Sequence, residues 1–228
     1  MVYLPPVFTE SRSEVLIAHI ERHDFGLLVS NSARRADKAH GDQPELIASQ
    51  IPFLVERRGG SVRLQGHIAR PNPQAADLAE GAAGGAEVLA IFPGPHAYIS
   101  PGWYEASPAV PTWNYASVHA YGTARAIRDP EWLRDMLDRL SARHEAREAA
   151  PWRMRDLPRA YLDSMLRGIV GIEIAVSRLE GKFKLSQNRP AGDRPRIIAA
   201  LERRDDETSR EVAALMRRRG DPGEPAAG

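Results

Sequence analysis

Cysteine is missing from all 228 residues. Its absence removes thiolate catalysis, disulfides and cysteine-ligated zinc or iron–sulfur centres. An excess of charge is missing too: 31 Lys and Arg face 30 Asp and Glu, a formal net charge of +1. Proteins that coat nucleic acid carry a stronger basic bias. The one dense basic cluster, MRRRG at 216–220, ends a helical pattern, where cations complement the helix dipole. Direct DNA binding is therefore not expected. No apolar run approaches the roughly 18 residues a membrane helix needs. The opening MVYLPPVFTESR has paired prolines and no long apolar run, unlike a secretory signal. A soluble, cytoplasmic protein is the expectation. Gly-x-Gly-x-x-Gly, a Walker loop and internal repeats are also absent. His96 and His119 are far apart and have no carboxylate at helical spacing, so no metal site is expected. Ser100 has no Gly-x-Ser-x-Gly elbow to support a Ser–His–Asp triad.

What remains is a chain with 43% hydrophobic residues, enough for a real core in one domain. Ser11 or Ser13 caps a helix to about 23. FGLLVSN (25–31) reads as a buried strand, and 32–44 as a polar loop. LIASQIPFLVE (46–56) reads as a strand interrupted by Pro52, the mark of a bulge or sheet edge. SVRLQGHIA (61–69) alternates apolar and polar residues with a period of two. A short helix at 74–80, ended by GAAGG, precedes an apolar strand at 86–94. A proline-punctuated loop follows, then a strand near 113–127. Asp129 caps and Pro130 opens a helix over 129–146, and a second helix covers about 156–167. The strand at 168–181 is central, and helices follow near 193–203 and 206–218. Strands joined by short turns between 25 and 69 signal antiparallel pairing. The expected class is α+β: a small antiparallel barrel with helices around it.

Three stretches carry chemistry. In EGKFKLSQNR (180–189), Lys182 and Lys184 project to one side just past a strand. Arg189 adds a planar fork, and Ser186, Gln187 and Asn188 add neutral hydrogen-bonding groups. The set suits a phosphate or a polar heterocycle; a solvated turn is the plainer alternative. In GHIARPNPQ (66–74), His67, Arg70 and Asn72 supply donors at a strand end. Neutral His67 could serve a ligand carbonyl or phosphate, or simply be structural. Between 92 and 122 fall two His, four Tyr and two Trp, among them His96, Tyr98 and Trp113. They could stack on a flat ligand, or form core or a subunit interface.

Together, MVYLPPVF, GHIARPNPQ, VLAIFPGPHAYISPGWY, VPTWNYASVHAYG and GIEIAVSRLEGKFKLSQNR resemble the PaiB family, described as FMN-binding negative transcriptional regulators. The resemblance covers most of residues 1 to about 203. It implies a split β-barrel of the flavin-reductase and pyridoxamine-phosphate-oxidase kind, a homodimer, and a flavin at the subunit interface. The implied cofactor set is His67, Arg70, Asn72, Trp113, Asn114, Lys182, Lys184, Gln187, Asn188 and Arg189. Residues 1–203 form the barrel domain, 204–219 a C-terminal helix and 220–228 a disordered tail. The chain departs from the family pattern at Gln50, Pro71, Ala75 and Pro190, all near the implied pocket, and across 31–44. A flavin-binding regulator is the first reading. The alternatives are a flavin- or haem-dependent oxidoreductase and a cofactor-free enzyme on the same barrel. For an enzyme, His67, His96 and Tyr98 are the catalytic candidates.

Overall fold

A computed structural model of the chain describes residues 2–32, 45–80, 85–105 and 107–219. Most of the expected 32–44 loop, the GAAGG helix end except Gly85, and the expected tail at 220–228 lie outside the described residues. The elements are β1 (Thr9–Glu10), α1 (Ser13–Arg22), β2 (Phe25–Ser32), β3 (Glu45–Pro52), β4 (Leu54–Arg58) and β5 (Ser61–Ala69). Then come α2 (Pro73–Glu80), β6 (Ala86–Ile99), β7 (Thr112–Ile127), α3 (Pro130–Glu145) and α4 (Arg159–Leu166). The chain ends with β8 (Ile169–Lys184), α5 (Asp193–Glu202) and α6 (Glu207–Arg218).

The strands form one antiparallel sheet in the order β3-β2-β6-β7-β8-β5-β4, with β1 paired to β8. The expected antiparallel split barrel is thus an open sheet. Among the described residues no strand pairing joins β3 to β4. Among the described residues, too, no helix is long and apolar enough to cross a membrane.

By its internal contacts the chain falls into two compact units. One gathers Met1–His19, Pro93–Val118 and Glu180–Gly228; the other gathers Ile20–Phe92 and His119–Leu179. The long strands β6, β7 and β8 each contribute residues to both.

In the Ile20–Phe92/His119–Leu179 unit, the single strand expected over 46–56 is two strands. Pro52 has no N–H to continue a ladder. The next residue, Phe53, turns its N–H to Asp24 O at 2.8 Å and buries its ring edge-on to Phe92 at 5.5 Å. β3 therefore pairs with β2 (Leu28 opposite Ser49, Ser30 opposite Ile47), and β4 pairs with β5. The core of this unit includes Leu54, Leu133, Met136, Leu140 and Leu166. α3 presents Leu133, Met136 and Leu140 to it at helical spacing. The helix starts where the sequence says it should: Asp129 accepts from Glu131 N at 2.9 Å, and Pro130 follows.

In the other unit, β6 runs past its expected end at 94 to Ile99. The alternation explains it: Ala97 and Ile99 are buried, while His96 and Tyr98 face outward. β8 likewise runs on to Lys184, with buried Gly181 and Phe183 alternating with Lys182 and Lys184. α6 is capped by Asp206, which accepts from Ser209 N at 2.7 Å, and it buries Val212, Ala213 and Met216.

Candidate functional site

Within the unit containing Pro93–Val118 and Glu180–Gly228, three neighbouring strands present one face. β6 contributes His96 and Tyr98, β7 contributes Trp113 and Tyr115, and β8 contributes Lys182 and Lys184. Each pair is spaced by two residues, so each lies on one side of its strand. The Trp113 ring is 5.9 Å from Tyr98 and 6.1 Å from His96, and it is 53% exposed. Lys182 Nζ lies 5.8 Å from the Tyr115 ring and 5.2 Å from that of Tyr3, and it donates to Tyr3 O at 2.8 Å. Lys184 Nζ donates to Trp113 O at 2.7 Å and to Thr112 Oγ1.

Among the described residues, both ammonium groups meet only neutral oxygens. Burial, and then the Lys182 charge, push the Lys184 ammonium below the usual lysine range. Each ammonium has three N–H donors. Lys184 has used two and Lys182 one. Two like charges with spare donors, beside an exposed aromatic row, fit a flat ligand carrying an anionic group.

The rest of the cationic stretch is held by the protein itself. Arg189 donates through Nε (3.0 Å) and Nη2 (2.7 Å) to Asp193 Oδ2 and stacks 3.8 Å over Tyr104. Gln187 Oε1 accepts from Leu185 N at 2.7 Å, and its amide donates to Phe183 O at 2.5 Å. Asn114 is fully buried, hydrogen-bonded through Nδ2 to Ser186 Oγ at 2.9 Å, and accepts from the same hydroxyl at 3.1 Å. That pair holds Ser186 in a left-handed conformation, φ 62°. Asn188 is exposed.

The other expected set belongs to the other unit. His67, on β5 opposite Gly171, has a shielded Nδ1 without a hydrogen-bond partner. Burial pushes its pKa down, so the imidazole is neutral at pH 7. Arg70 is exposed and reaches only Ile169 O, at 3.4 Å. Asn72 is structural in its contacts: Nδ2 donates to Ser49 Oγ at 2.9 Å, and Oδ1 accepts from Gln74 N at 3.0 Å. Of the departures from the family pattern, Ala75 is core, Gln50 lies on β3 opposite Leu27, and Pro71 and Pro190 are exposed.

Tyr115, Tyr3 and Thr112 were not singled out by the sequence. Tyr115 was within reach, because alternation along β7 places it beside Trp113. Tyr3 and Thr112 are brought in by tertiary contact, for which the sequence has no local signal.

The family model described as "Putative FMN-binding domain" matches residues 2–178, so the face on β6 and β7 lies inside the match and Lys182 and Lys184 lie just beyond it. The chain is 31% identical to the Protease synthase and sporulation protein PAI 2 of Bacillus subtilis, over 94% of this chain and 96% of that one. It is 32% identical to an uncharacterized protein of Emericella nidulans, over 96% and 98% of the two chains. In fold it is similar to a conserved hypothetical protein from Mycobacterium tuberculosis, at a TM-score of 0.51 and 15% identity, covering 83% of this chain and 94% of that one. The chain belongs to the family of the "Putative FMN-binding domain", the PaiB family its motifs resemble.

Proposed function

We propose that this protein binds FMN on the face formed by β6, β7 and β8, and acts as a flavin-dependent sensor or regulator. The observation that carries the proposal is the pairing of Lys182 and Lys184, free of carboxylate partners among the described residues, with the aromatic row of Trp113, Tyr98 and Tyr115. The ammonium groups would take the phosphate, and the aromatic row would take the ring. Bound there, the flavin would supply hydride or electron transfer; the chain's own part is to hold it and set the charge around it. A phosphate would also offset the repulsion between the two lysines.

Regulation through a partner protein suits this chain better than a direct grip on DNA. Two of the three arginines at the basic end of α6 are already engaged: Arg217 forks onto Glu202 at 2.8 and 2.9 Å, and Arg219 donates to Glu10.

The test compares FMN with riboflavin, which lacks the phosphate. Lys182→Ala and Lys184→Ala are each expected to weaken FMN binding by about 1.5–3 kcal/mol, with riboflavin affected much less. Arg189→Ala serves as the contrast. It removes one of the partners of buried Asp193, which keeps the Glu105 N–H, so it should lower the melting temperature more than the FMN affinity. Equal responses of FMN and riboflavin to both lysine changes would remove the phosphate site. The absorption spectrum of the purified protein decides the cofactor class: flavin bands support the proposal, and a Soret band would replace it with haem.

A further inference from the structure

The side chain of Tyr3 is 81% exposed, yet its backbone is firmly placed. Lys182 Nζ donates to Tyr3 O at 2.8 Å, and Val2 N donates to Glu180 Oε2 at 3.1 Å. Further along, Pro5 O accepts from Phe8 N at 2.9 Å and from Thr9 Oγ1 at 3.0 Å, and Thr9 pairs with Lys182 where β1 meets β8. Pro5 and Pro6 restrict the backbone between these ties. The chain thus holds out an aromatic ring in a fixed place while packing little against it. A ring so presented suits stacking on a ligand.

The two lysines divide the aromatic groups of this face into two sets. Lys184 Nζ is drawn to Trp113, donating to its carbonyl at 2.7 Å, and the Trp113 ring is 5.9 Å from Tyr98. Lys182 Nζ is drawn to the N-terminal arm, 5.2 Å from the Tyr3 ring, and is 5.8 Å from Tyr115. All six residues belong to the unit of Met1–His19, Pro93–Val118 and Glu180–Gly228. Two residues along a strand put the Cα atoms of Lys182 and Lys184 about 6.6 Å apart, and each ammonium is then anchored beside its own aromatic set. To be held by both, a single phosphate must draw the two ammonium groups together, off their anchors. Two linked phosphates can meet one ammonium each with the anchors kept. A molecule with two linked phosphates between two flat rings is a dinucleotide.

We propose that this face takes a flavin adenine dinucleotide, a conclusion that rests on the flavin reading above and extends it. The flavin stacks on Trp113 and Tyr98, the two phosphates lie on Lys184 and Lys182, and the purine stacks on Tyr3 with Tyr115 beside it. Tyr3 is accordingly a binding residue that determines specificity for the second ring.

The experiment is calorimetric titration of the full chain, freed of bound nucleotide, with FAD, FMN and ADP. ADP carries the purine and both phosphates without the flavin, so it tests the second set of rings alone. FAD should bind about tenfold more tightly than FMN, the effect of stacking one base on an aromatic side chain. Tyr3→Ala should weaken FAD and ADP by about tenfold and leave FMN nearly unchanged, while Tyr3→Phe, which keeps the ring, should match the wild type. Because the side chain is exposed, Tyr3→Ala keeps the fold, and a melting curve checks it. FAD binding no tighter than FMN, with FAD and ADP indifferent to Tyr3→Ala, would overturn the dinucleotide and leave the FMN reading standing. Equal weakening of FMN and FAD by Tyr3→Ala would assign Tyr3 to the flavin and overturn the second subsite. If neither flavin binds, the FMN reading and the dinucleotide fall together.

Discussion

Glu10 shows what one side chain can contribute. It is 3% exposed, accepts from Arg12 at 2.9, 3.0 and 2.8 Å, and also meets Arg219. Burial alone would raise its pKa; the hydrogen bonds from Arg12 and Arg219 outweigh burial and hold it at about 2. Because the folded value lies below the unfolded one, the stabilisation is complete above about pH 4.5 and is lost as pH falls toward about 2. Allowing for the exposed Arg12, the loss should be on the order of 2 kcal/mol. Denaturant melts from pH 5 to pH 2 should show this slope in the wild type and a flatter one in Glu10→Gln; parallel slopes would refute it. Residues like this were opaque in the sequence. Glu10 and Arg219 are 209 positions apart, and no local pattern joins them. Lys182 and Lys184 were legible, because the period of two along a strand places both on one side whatever the fold. Arg189 was legible as a cation but not as the partner of Asp193.

The elements themselves were read best where a single physical signal dominates. β5 at Ser61–Ala69 follows from strict alternation, and α3 from its cap and its apolar stripe. The reading stopped short where proline masks the alternation, as at Pro93 and Pro95 in β6, and at Pro52 it found the interruption but not the switch of pairing partner that makes two strands of 46–56. Strand packing also sets a test at Gly122 in β7. A Cβ there would fall on the carbonyl oxygen of Ala175 in β8, with Ile174 Cγ2 3.0 Å away. Backbone oxygen cannot swing aside as a side chain can, so β7 and β8 would have to part. Gly122→Ala should cost about 1–3 kcal/mol, read as a lower denaturant midpoint, whereas Gly102→Ala, with only the Ser100 hydroxyl near by, should change it little.

At the scale of the whole molecule, the family gives the frame and the surface gives the prediction. Trp113, Tyr98 and Val110 stand exposed in one unit, with Val110 at 75%. Exposed apolar groups on one unit, with Trp113 and Tyr98 in contact, favour a second copy as cover. A homodimer is the expected species in sedimentation at micromolar concentration; a monomer there would rule it out. The family and the antiparallel class were legible from the motifs, while the division into two units was not, since it depends on contacts between residues far apart in the chain. One more consequence follows from the break at Phe53. β3 begins the strand order and β4 ends it, yet a single residue separates them in the chain. The Pro52 end of β3 and the Leu54 end of β4 are therefore stitched together by covalent bonds where, among the described residues, no strand pairing joins them. Fraying that starts at that seam is limited to the reach of one amino acid.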